Sequence, residues 1–544
     1  MNRFQKFAIV IIIITAAFLR FYKLGLNPPG LYWDEAAFGY NAYSILKTAH
    51  DEHGRFLPYL AFESFGDWKL PVYFYLIVPS IAIFGLNEVA VRFPSAFLGT
   101  LTIPVFFILV KKLSKNVNLA ILSALFLAIS PWHIQFSRAG FETSAGLFFV
   151  VSGVYLFLIG LESKSLNLRG ARAHLGGVFR SPFTFSFLLL TLSMYTYHAY
   201  RVFVPLAAVS LVVIYKSEIQ KNLSKIFLSA ALGLILFLPL LIFTFSAQGK
   251  YRATFQTAFH VEDFKMKKLD YDQKSKRPLR FLSKYIYQKP IYYAYVALNG
   301  YIDHFSPFFL FLRGDQIGRH SQVDLGQINF FEVIFIGASL FAVQNLNKNT
   351  KRVMLSWLLL SPIPAMIVTP TPHADRTLQM APALAFFSAL GAFYIFSKVK
   401  LLALKFAIII FCLFYFVSYF HFLKVHYPVK FAADWQDGYK QMVQKIEAFQ
   451  DDYDRVYVTN INQVPYIYLL FYQKYDPEKF LRDGGTKEAF GKYTFVSRDF
   501  DVYDKGRILY VAPSWQKVNG KWLAAANDSS GRHIYSLWEV GGKD

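Results

Sequence analysis

Apolar runs separated by short polar stretches recur from Phe7 to Phe422 and leave little water-facing sequence until the C-terminal part of the chain. Eleven of them approach the roughly 17 to 25 residues a helix needs to cross a bilayer. They are Phe7 to Tyr22, Pro94 to Val110, Leu119 to Ser130, Ser144 to Leu161, Phe183 to Tyr197, Val202 to Tyr215, Ile226 to Phe245, Phe330 to Leu346, Met354 to Thr369, Leu378 to Phe396 and Leu401 to Phe422. A further run, Pro71 to Leu86, is ambiguous, and the positive-inside rule decides it. Read as a helix lying in the outer interface, it leaves every basic cluster cytoplasmic: Lys111, Lys112 and Lys115; Lys164, Arg169, Arg172 and Arg180; Lys216, Lys221 and Lys225; Lys348, Lys351 and Arg352; Lys398, Lys400 and Lys405. Read as a span, it would put all of them outside.

The outer segments are then Lys23 to Phe93, Pro131 to Thr143, Ser246 to Asn329 and Pro370 to Arg376, and an odd number of spans leaves the C-terminus outside. From Pro428 the composition turns acidic, with Asp434, Asp437, Glu447, Asp451, Asp452 and Asp454 in quick succession. Asp434 is placed to cap a helix running to about Gln450. Strand-like runs follow at Arg455 to Ile461, Tyr493 to Ser497, Ile508 to Ala512 and His533 to Val540. The expected architecture is a polytopic α-helical membrane domain, residues 1–427, with interfacial helices in its first outer loop, and a small extracytoplasmic α/β domain, residues 428–544.

Composition sharpens this picture in three places. Only 17% of the 544 residues are charged and 55% are hydrophobic, which excludes an ordinary soluble chain. The net charge of +22 resides in short inter-span loops, so it reports topology and no nucleic-acid partner is read from it. The single cysteine, Cys412, lies inside an apolar run and excludes disulfides and thiolate clusters. The first run follows Arg3 and Lys6 without a small-residue cleavage site and reads as a retained signal anchor.

Charged residues that a membrane protein keeps in its outer loops are where chemistry is sought. Asp34 and Glu35 follow Pro28, Pro29 and Gly30 just past the first span and open an amphipathic stretch, Ala36 to Ala49. A helix cap with a first-turn acid is the commoner explanation of such a pair taken alone. The loop continues Asp51-Glu52-His53-Gly54-Arg55 and Phe65-Gly66-Asp67-Trp68-Lys69-Leu70-Pro71, where Lys69 either meets a lipid phosphate or snorkels to the headgroups. Arg138 and Glu142, four apart, face the same way on one helical turn or simply pair with each other. Gly314-Asp315-Gln316-Ile317-Gly318-Arg319-His320 and His373-Ala374-Asp375-Arg376 add two carboxylates, two imidazoles and two guanidiniums. A turn and a topology anchor are their plainer readings. Aromatics beside these motifs, Tyr32, Trp33, Trp68 and Tyr73, suit sugar stacking and interfacial anchoring alike. Acids for base chemistry with Lys69, Arg138, Arg319 and Arg376 for anions fit a phosphate-bearing substrate better than a neutral solute.

An Asp-Glu pair after the first span, a lysine near a proline in the same loop, an interfacial helix followed by Arg92, and the Arg138 to Glu142 segment resemble the membrane glycosyltransferases of the GT-C fold, in particular the protein O-mannosyltransferase and lipid A aminoarabinose transferase group. The resemblance covers about the first 200 residues most clearly and extends more loosely through the two later loops. It implies transfer of a sugar from a polyprenyl-phosphate donor to a protein, lipid or cell-envelope glycan acceptor at the outer face of the cytoplasmic membrane. Asp34 would be the general base, Glu35 would orient it or the acceptor, and Lys69 would hold the donor phosphate. Arg138, Arg319 and Arg376 would add phosphate contacts, and Asp67, Glu142, His320 and His373 would line the cavity. The sequence departs from the group's Lys-Pro-Pro at Lys69-Leu70-Pro71. Some members of the group bind a divalent metal near the donor phosphate, and Asp67, His53 and His320 are the candidate ligands, though no spacing here defines such a site.

Two other readings stay open. A transporter or flippase of a lipid-linked or anionic substrate would keep ionisable groups near mid-membrane and show repeated halves, whereas these spans are nearly free of charge and no repeat is visible. A scaffold whose outer domain binds a partner would be indifferent to loss of Asp34.

Overall fold

The computed structural model describes residues 1–162, 181–250, 264, 288–322, 324–461, 464–497 and 506–541. The expected cytoplasmic cluster at Lys164, Arg169, Arg172 and Arg180 and much of the expected long outer loop lie outside the described residues.

Each of the eleven apolar runs contains helix. Six helices are long and apolar enough to cross a membrane: α1 (Arg3–Phe21), α4 (Glu88–Ser114), α7 (Glu142–Glu162), α10 (Leu223–Phe245), α14 (Met380–Lys398) and the continuous stretch Leu402–Lys430 that begins with α15 (Leu402–His421). α5 (Val117–Ala128) and α6 (Pro131–Arg138), bent by 55°, make a seventh if taken as one span. The expected eleven is therefore met only roughly. α8 (Pro182–Met194) and α13 (Lys348–Leu360) have 13 residues each, about 20 Å at 1.5 Å per residue against a hydrocarbon core of about 30 Å. α9 (Tyr200–Ile214) and α12 (Glu332–Ala342) are similarly short. The run expected over Met354 to Thr369 stops at Leu360 because Pro362 and Pro364 each remove a backbone donor. The remaining helices used below are α2 (Trp33–Thr48), α3 (Val72–Phe84), α11 (Lys289–Asp303), α16 (Tyr439–Phe449) and α17 (Pro465–Tyr472).

Packing divides the chain into two compact units, neither continuous in sequence: Met1–Ala16, Gly99–Phe136 and Thr143–Phe416 form one, and Ala17–Leu98, Ser137–Glu142 and Val417–Asp544 the other. In the first, α14 packs against α5 and α12. A Cβ at Gly391 would lie 1.6 Å from the Phe335 carbonyl, so only glycine allows that approach, the small-residue contact by which helices pack in lipid.

The second unit holds the strands. A hairpin, β1 (Phe62–Ser64) and β2 (Asp67–Lys69), turns through Phe65 and Gly66, both at positive φ, 57° and 78°, as a two-residue turn that matches strand twist requires. A six-stranded mixed sheet follows, built from β3 (Arg455–Thr459), β4 (Ala489–Phe490), β5 (Tyr493–Val496), β6 (Arg507–Pro513), β7 (Lys521–Asn527) and β8 (His533–Gly541) in the order β4-β5-β3-β6-β8-β7. β3 runs parallel to both β5 and β6, and the other neighbours are antiparallel. The four expected strand runs are β3, β5, β6 and β8. Asp434 is not the cap of the expected helix, because Gly438, at φ 102°, breaks the chain and α16 begins only at Tyr439. Within this unit α2 packs against α3 and α17, which joins the first loop to the C-terminal chain.

Candidate functional site

In the second unit the first turn of α2 places two adjacent carboxylates in opposite environments. Glu35 is buried and saturated. Its Oε1 accepts from Arg92 Nε at 2.8 Å and from the Gly140 N–H at 2.7 Å, and its Oε2 accepts from Arg92 Nη2 at 3.0 Å and from the Tyr32 N–H at 3.2 Å. A Cβ at Gly140 would sit 3.1 Å from Glu35 Cγ, tighter than an ordinary contact, so glycine eases this approach. Arg92 spends its other donors on the carbonyls of Leu24, Pro28 and Gly30, so all five N–H groups are used and the Pro-Pro-Gly turn is tied to α4. A bidentate Arg–carboxylate pair with every lone pair satisfied is a rigid anchor.

Asp34, one residue earlier, keeps 28% of its side chain exposed and has one ion-pair partner among the described residues, Lys69, with Oδ1 2.9 Å from Nζ. Lys69 is 5% exposed, and Phe38 lies under its ammonium at 5.6 Å. Lys69 ends β2, paired across the hairpin with Phe62. It lies on the hairpin and not in the interfacial helix, since α3 begins only at Val72. Asp67, two residues before Lys69 and hence on the same strand face, accepts the Trp68 N–H. Trp68 points the other way and stacks on Arg55 at 4.6 Å. His53 is exposed. Gln436 from the C-terminal chain accepts the Trp33 N–H at 2.7 Å and the Tyr468 hydroxyl at 2.6 Å, fixing the entry of α2.

Arg138 does not share a helical turn with Glu142. α6 ends at Arg138, α7 begins at Glu142, and the residues between form a turn. Its guanidinium donates to four backbone carbonyls: Leu19 at 2.6 Å and Arg20 at 3.4 Å from Nη1, and Tyr22 at 2.8 Å and Asn27 at 2.7 Å from Nη2. Leu19 and Arg20 lie in the last turn of α1, so Arg138 caps that helix end while its Nη donors also hold the turn that follows it.

In the first unit, Asp315, His320 and His373 each place one ligand atom within 4.8 Å of the others, all three residues buried. His320 Nδ1 lies 3.2 Å from Asp315 Oδ2, which also accepts the Ala374 N–H at 2.7 Å, so the carboxylate joins the two loops. His304 donates from Nδ1 to the Gly300 carbonyl at 2.6 Å in α11 and accepts the His373 N–H at Nε2, which fixes its neutral tautomer. Burial would raise Asp315, but the His320 charge, that ring's hydrogen bond and His373 bring it to about 2. Burial, then His320 and Arg376, hold His373 well below the usual imidazole value. His373 Nδ1 is buried with no hydrogen-bond partner. One carboxylate, two imidazoles and an unsatisfied ring nitrogen fit a zinc-class cation. Asp67 and His53 are not part of this group. Arg319 and Arg376 are half-buried beside it in sequence, and the Arg319 carbonyl accepts from Gln135. Asp375 accepts the Tyr197 hydroxyl at 2.6 Å.

Sequence reasoning passed over Asp315 as a ligand and did not see Gln436, His304 or Tyr197. Asp315 stands in a quoted motif, but the partners of the others are 69 to 403 residues away.

Residues 10–248 match the sequence model of the dolichyl-phosphate-mannose-protein mannosyltransferase family. ArnT from Cupriavidus metallidurans, solved bound to undecaprenyl phosphate, superposes with a TM-score of 0.57 over 97% of each chain at 11% identity. The oligosaccharyltransferase AglB from Archaeoglobus fulgidus, solved with an inhibitory peptide and a dolichol-phosphate, gives 0.49 at 14% identity, covering 86% of this chain and 63% of that one. An uncharacterized protein of Aquifex aeolicus is 29% identical over 153 residues, 28% of this chain and 29% of that protein. The present chain is a membrane protein with the GT-C glycosyltransferase fold.

Proposed function

We propose that the protein is a glycosyltransferase that moves a sugar from a polyprenyl-phosphate donor to a hydroxyl-bearing acceptor at the outer face of the membrane. The observation that carries this reading is the pairing of a buried Lys69 with a part-exposed Asp34 at 2.9 Å, beside a neighbouring carboxylate saturated as a structural anchor. Among the described residues Lys69 has one ion-pair partner, the part-exposed carboxylate of Asp34. A donor phosphate competes for that ammonium, and its arrival frees Asp34 to act as base. The acceptor oxygen then attacks the anomeric carbon as Asp34 takes its proton. The bond from the anomeric carbon to the phosphate oxygen breaks, and the leaving polyprenyl phosphate is received by Lys69. Glu35 and Arg92 are positioning residues that hold Asp34 on the first turn of α2, where the helix dipole favours the carboxylate. Asp67 and Glu142 are proposed to line the cavity. Arg319 and Arg376 are assigned to the anionic part of a substrate, and Asp315, His320 and His373 would hold a divalent ion. Such an ion supplies positive charge toward anionic oxygens when bound.

Native mass spectrometry of the purified full chain, wild type beside Lys69→Ala, tests the donor site without a guess about the sugar. A polyprenyl-phosphate adduct on the wild type that is lost in the variant supports the assignment. No adduct on either protein after undecaprenyl phosphate is added sinks it and favours the transporter.

A further inference from the structure

The C-terminal end of α1 and the end of the stretch Leu402–Lys430 frame a cavity of about 200 Å³ that the proposed chemistry does not use. Lys23, Lys424 and Arg138 line it, with Tyr22 between the lysines and Phe420 and Leu423 on the apolar side, and no carboxylate is among its lining residues. The two ammonium groups lie against the Tyr22 ring at 5.9 and 5.7 Å, and among the described residues neither has a carboxylate partner. Arg138 is 3% exposed, and its Nε has no hydrogen-bond partner, although its Nη groups are engaged as the cap of α1. Lys23 adopts φ 53°. Glycine would hold this left-handed position just past a helix with less strain. The two helices framing the cavity are among the least buried spans, 22% and 11% of their apolar windows, so a membrane lipid is the neighbour available to fill it.

We propose that this cavity binds the phosphate of an anionic membrane lipid, with the lipid chain against Phe420 and Leu423. Lys23 and Lys424 supply the charge from flexible stems suited to a solvated phosphate. The proposal rests on the membrane fold and not on the transferase reading.

The test is lipid retention by the full chain under native mass spectrometry, with phosphatidylglycerol, undecaprenyl phosphate, phosphatidylcholine and inorganic phosphate offered separately. Wild type is expected to keep one phosphatidylglycerol. The Lys23→Gln/Lys424→Gln double variant should weaken its retention by roughly 10- to 30-fold, the loss expected of two surface cations. Lys23→Arg/Lys424→Arg should restore it, and Lys69→Ala should leave it unchanged, which separates this site from the donor site. A copy of undecaprenyl phosphate that persists in Lys69→Ala and is lost in the double Gln variant supports the site with the carrier lipid as its source. Equal retention by the Gln variant, equal retention of phosphatidylcholine, or occupancy by inorganic phosphate without lipid preference overturns the proposal.

Discussion

Asp34 and Glu35 are neighbours in sequence and chemically alike, yet they lie in unlike regions of the second unit. Glu35 faces inward between α2 and α4, where Arg92 and two backbone N–H groups occupy all four of its lone pairs. Asp34 faces the hairpin, keeps solvent contact, and shares one oxygen with Lys69. A carboxylate without spare acceptor capacity cannot take a proton from a substrate unless its anchor breaks, whereas one held by a single displaceable cation can. The difference separates the residue proposed to react from the residue that holds it in place.

That contrast breaks most visibly in activity. Asp34→Asn keeps an oxygen for Lys69 and removes the base, so transfer is expected to fall by about 10²- to 10⁴-fold while the melting temperature in detergent barely moves. Turnover at the wild-type rate would remove Asp34 from the base role. Glu35→Gln should show the reverse order of effects. It leaves the fully buried Arg92 guanidinium without its counter-charge, a loss of about 3 to 5 kcal/mol in folding stability. Activity would then decline through the folded fraction and through the looser placement of Asp34. Thermal unfolding followed by tryptophan fluorescence checks this, and an unchanged melting temperature would mean that the Glu35–Arg92 pair is not the anchor described.

The two carboxylates also show how far a sequence can be read. Their place after a span, the basic loop pattern and the acidic tail were legible because membrane thickness and charge asymmetry act on local composition. The first turn of α2 was legible for the same reason, since an acid pair after Pro-Pro-Gly is a local signal. Which of the two acids is sealed was not, because Gly140 is 105 residues from Glu35 and Arg92 is 57 away. Arg138 was read as a phosphate ligand from its charge and the family resemblance, and only the backbone path shows the carbonyls of Leu19, Arg20, Tyr22 and Asn27 occupying its Nη groups. Spans such as α8 and α13 were counted by apolar length, while packing and proline decide where their helices stop.

A smaller effect sharpens the comparison in the first unit, where Asp315 is a bridge like Glu35 but has His373 beside it with an unsatisfied ring nitrogen. Chelator-treated, tag-free protein is expected to rebind about one equivalent of zinc. His373→Gln removes a ligand and should weaken that binding by more than about 100-fold, the upper end of what losing an outer-shell partner costs. Zinc titration with elemental analysis reads both, and the same stoichiometry and affinity in the variant would leave Asp315, His320 and His373 as a hydrogen-bonded loop clamp.

The smallest expected effect concerns a third carboxylate of the second unit, Glu52, which is buried like Glu35 but has no guanidinium. It accepts from Asn41 Nδ2 at 2.8 Å and from the Tyr466 hydroxyl at 3.2 Å. Burial raises its pKa, with Asp51 adding to the rise and His53, Asn41 and Tyr466 opposing it. Because the folded value lies above the unfolded one, the stabilisation is fully present below the ordinary glutamate range. It is lost as pH rises through the folded value, beyond which stability is level. Glu52→Gln keeps a neutral side chain of the same shape at every pH and should flatten this slope. Melting temperatures of wild type and variant measured from pH 4 to 8 should therefore diverge toward the alkaline end, with the wild type lower. Parallel curves would show that Glu52 is ionised in the folded state throughout, and its hydrogen bonds would then be holding a buried charge, as Arg92 does for Glu35.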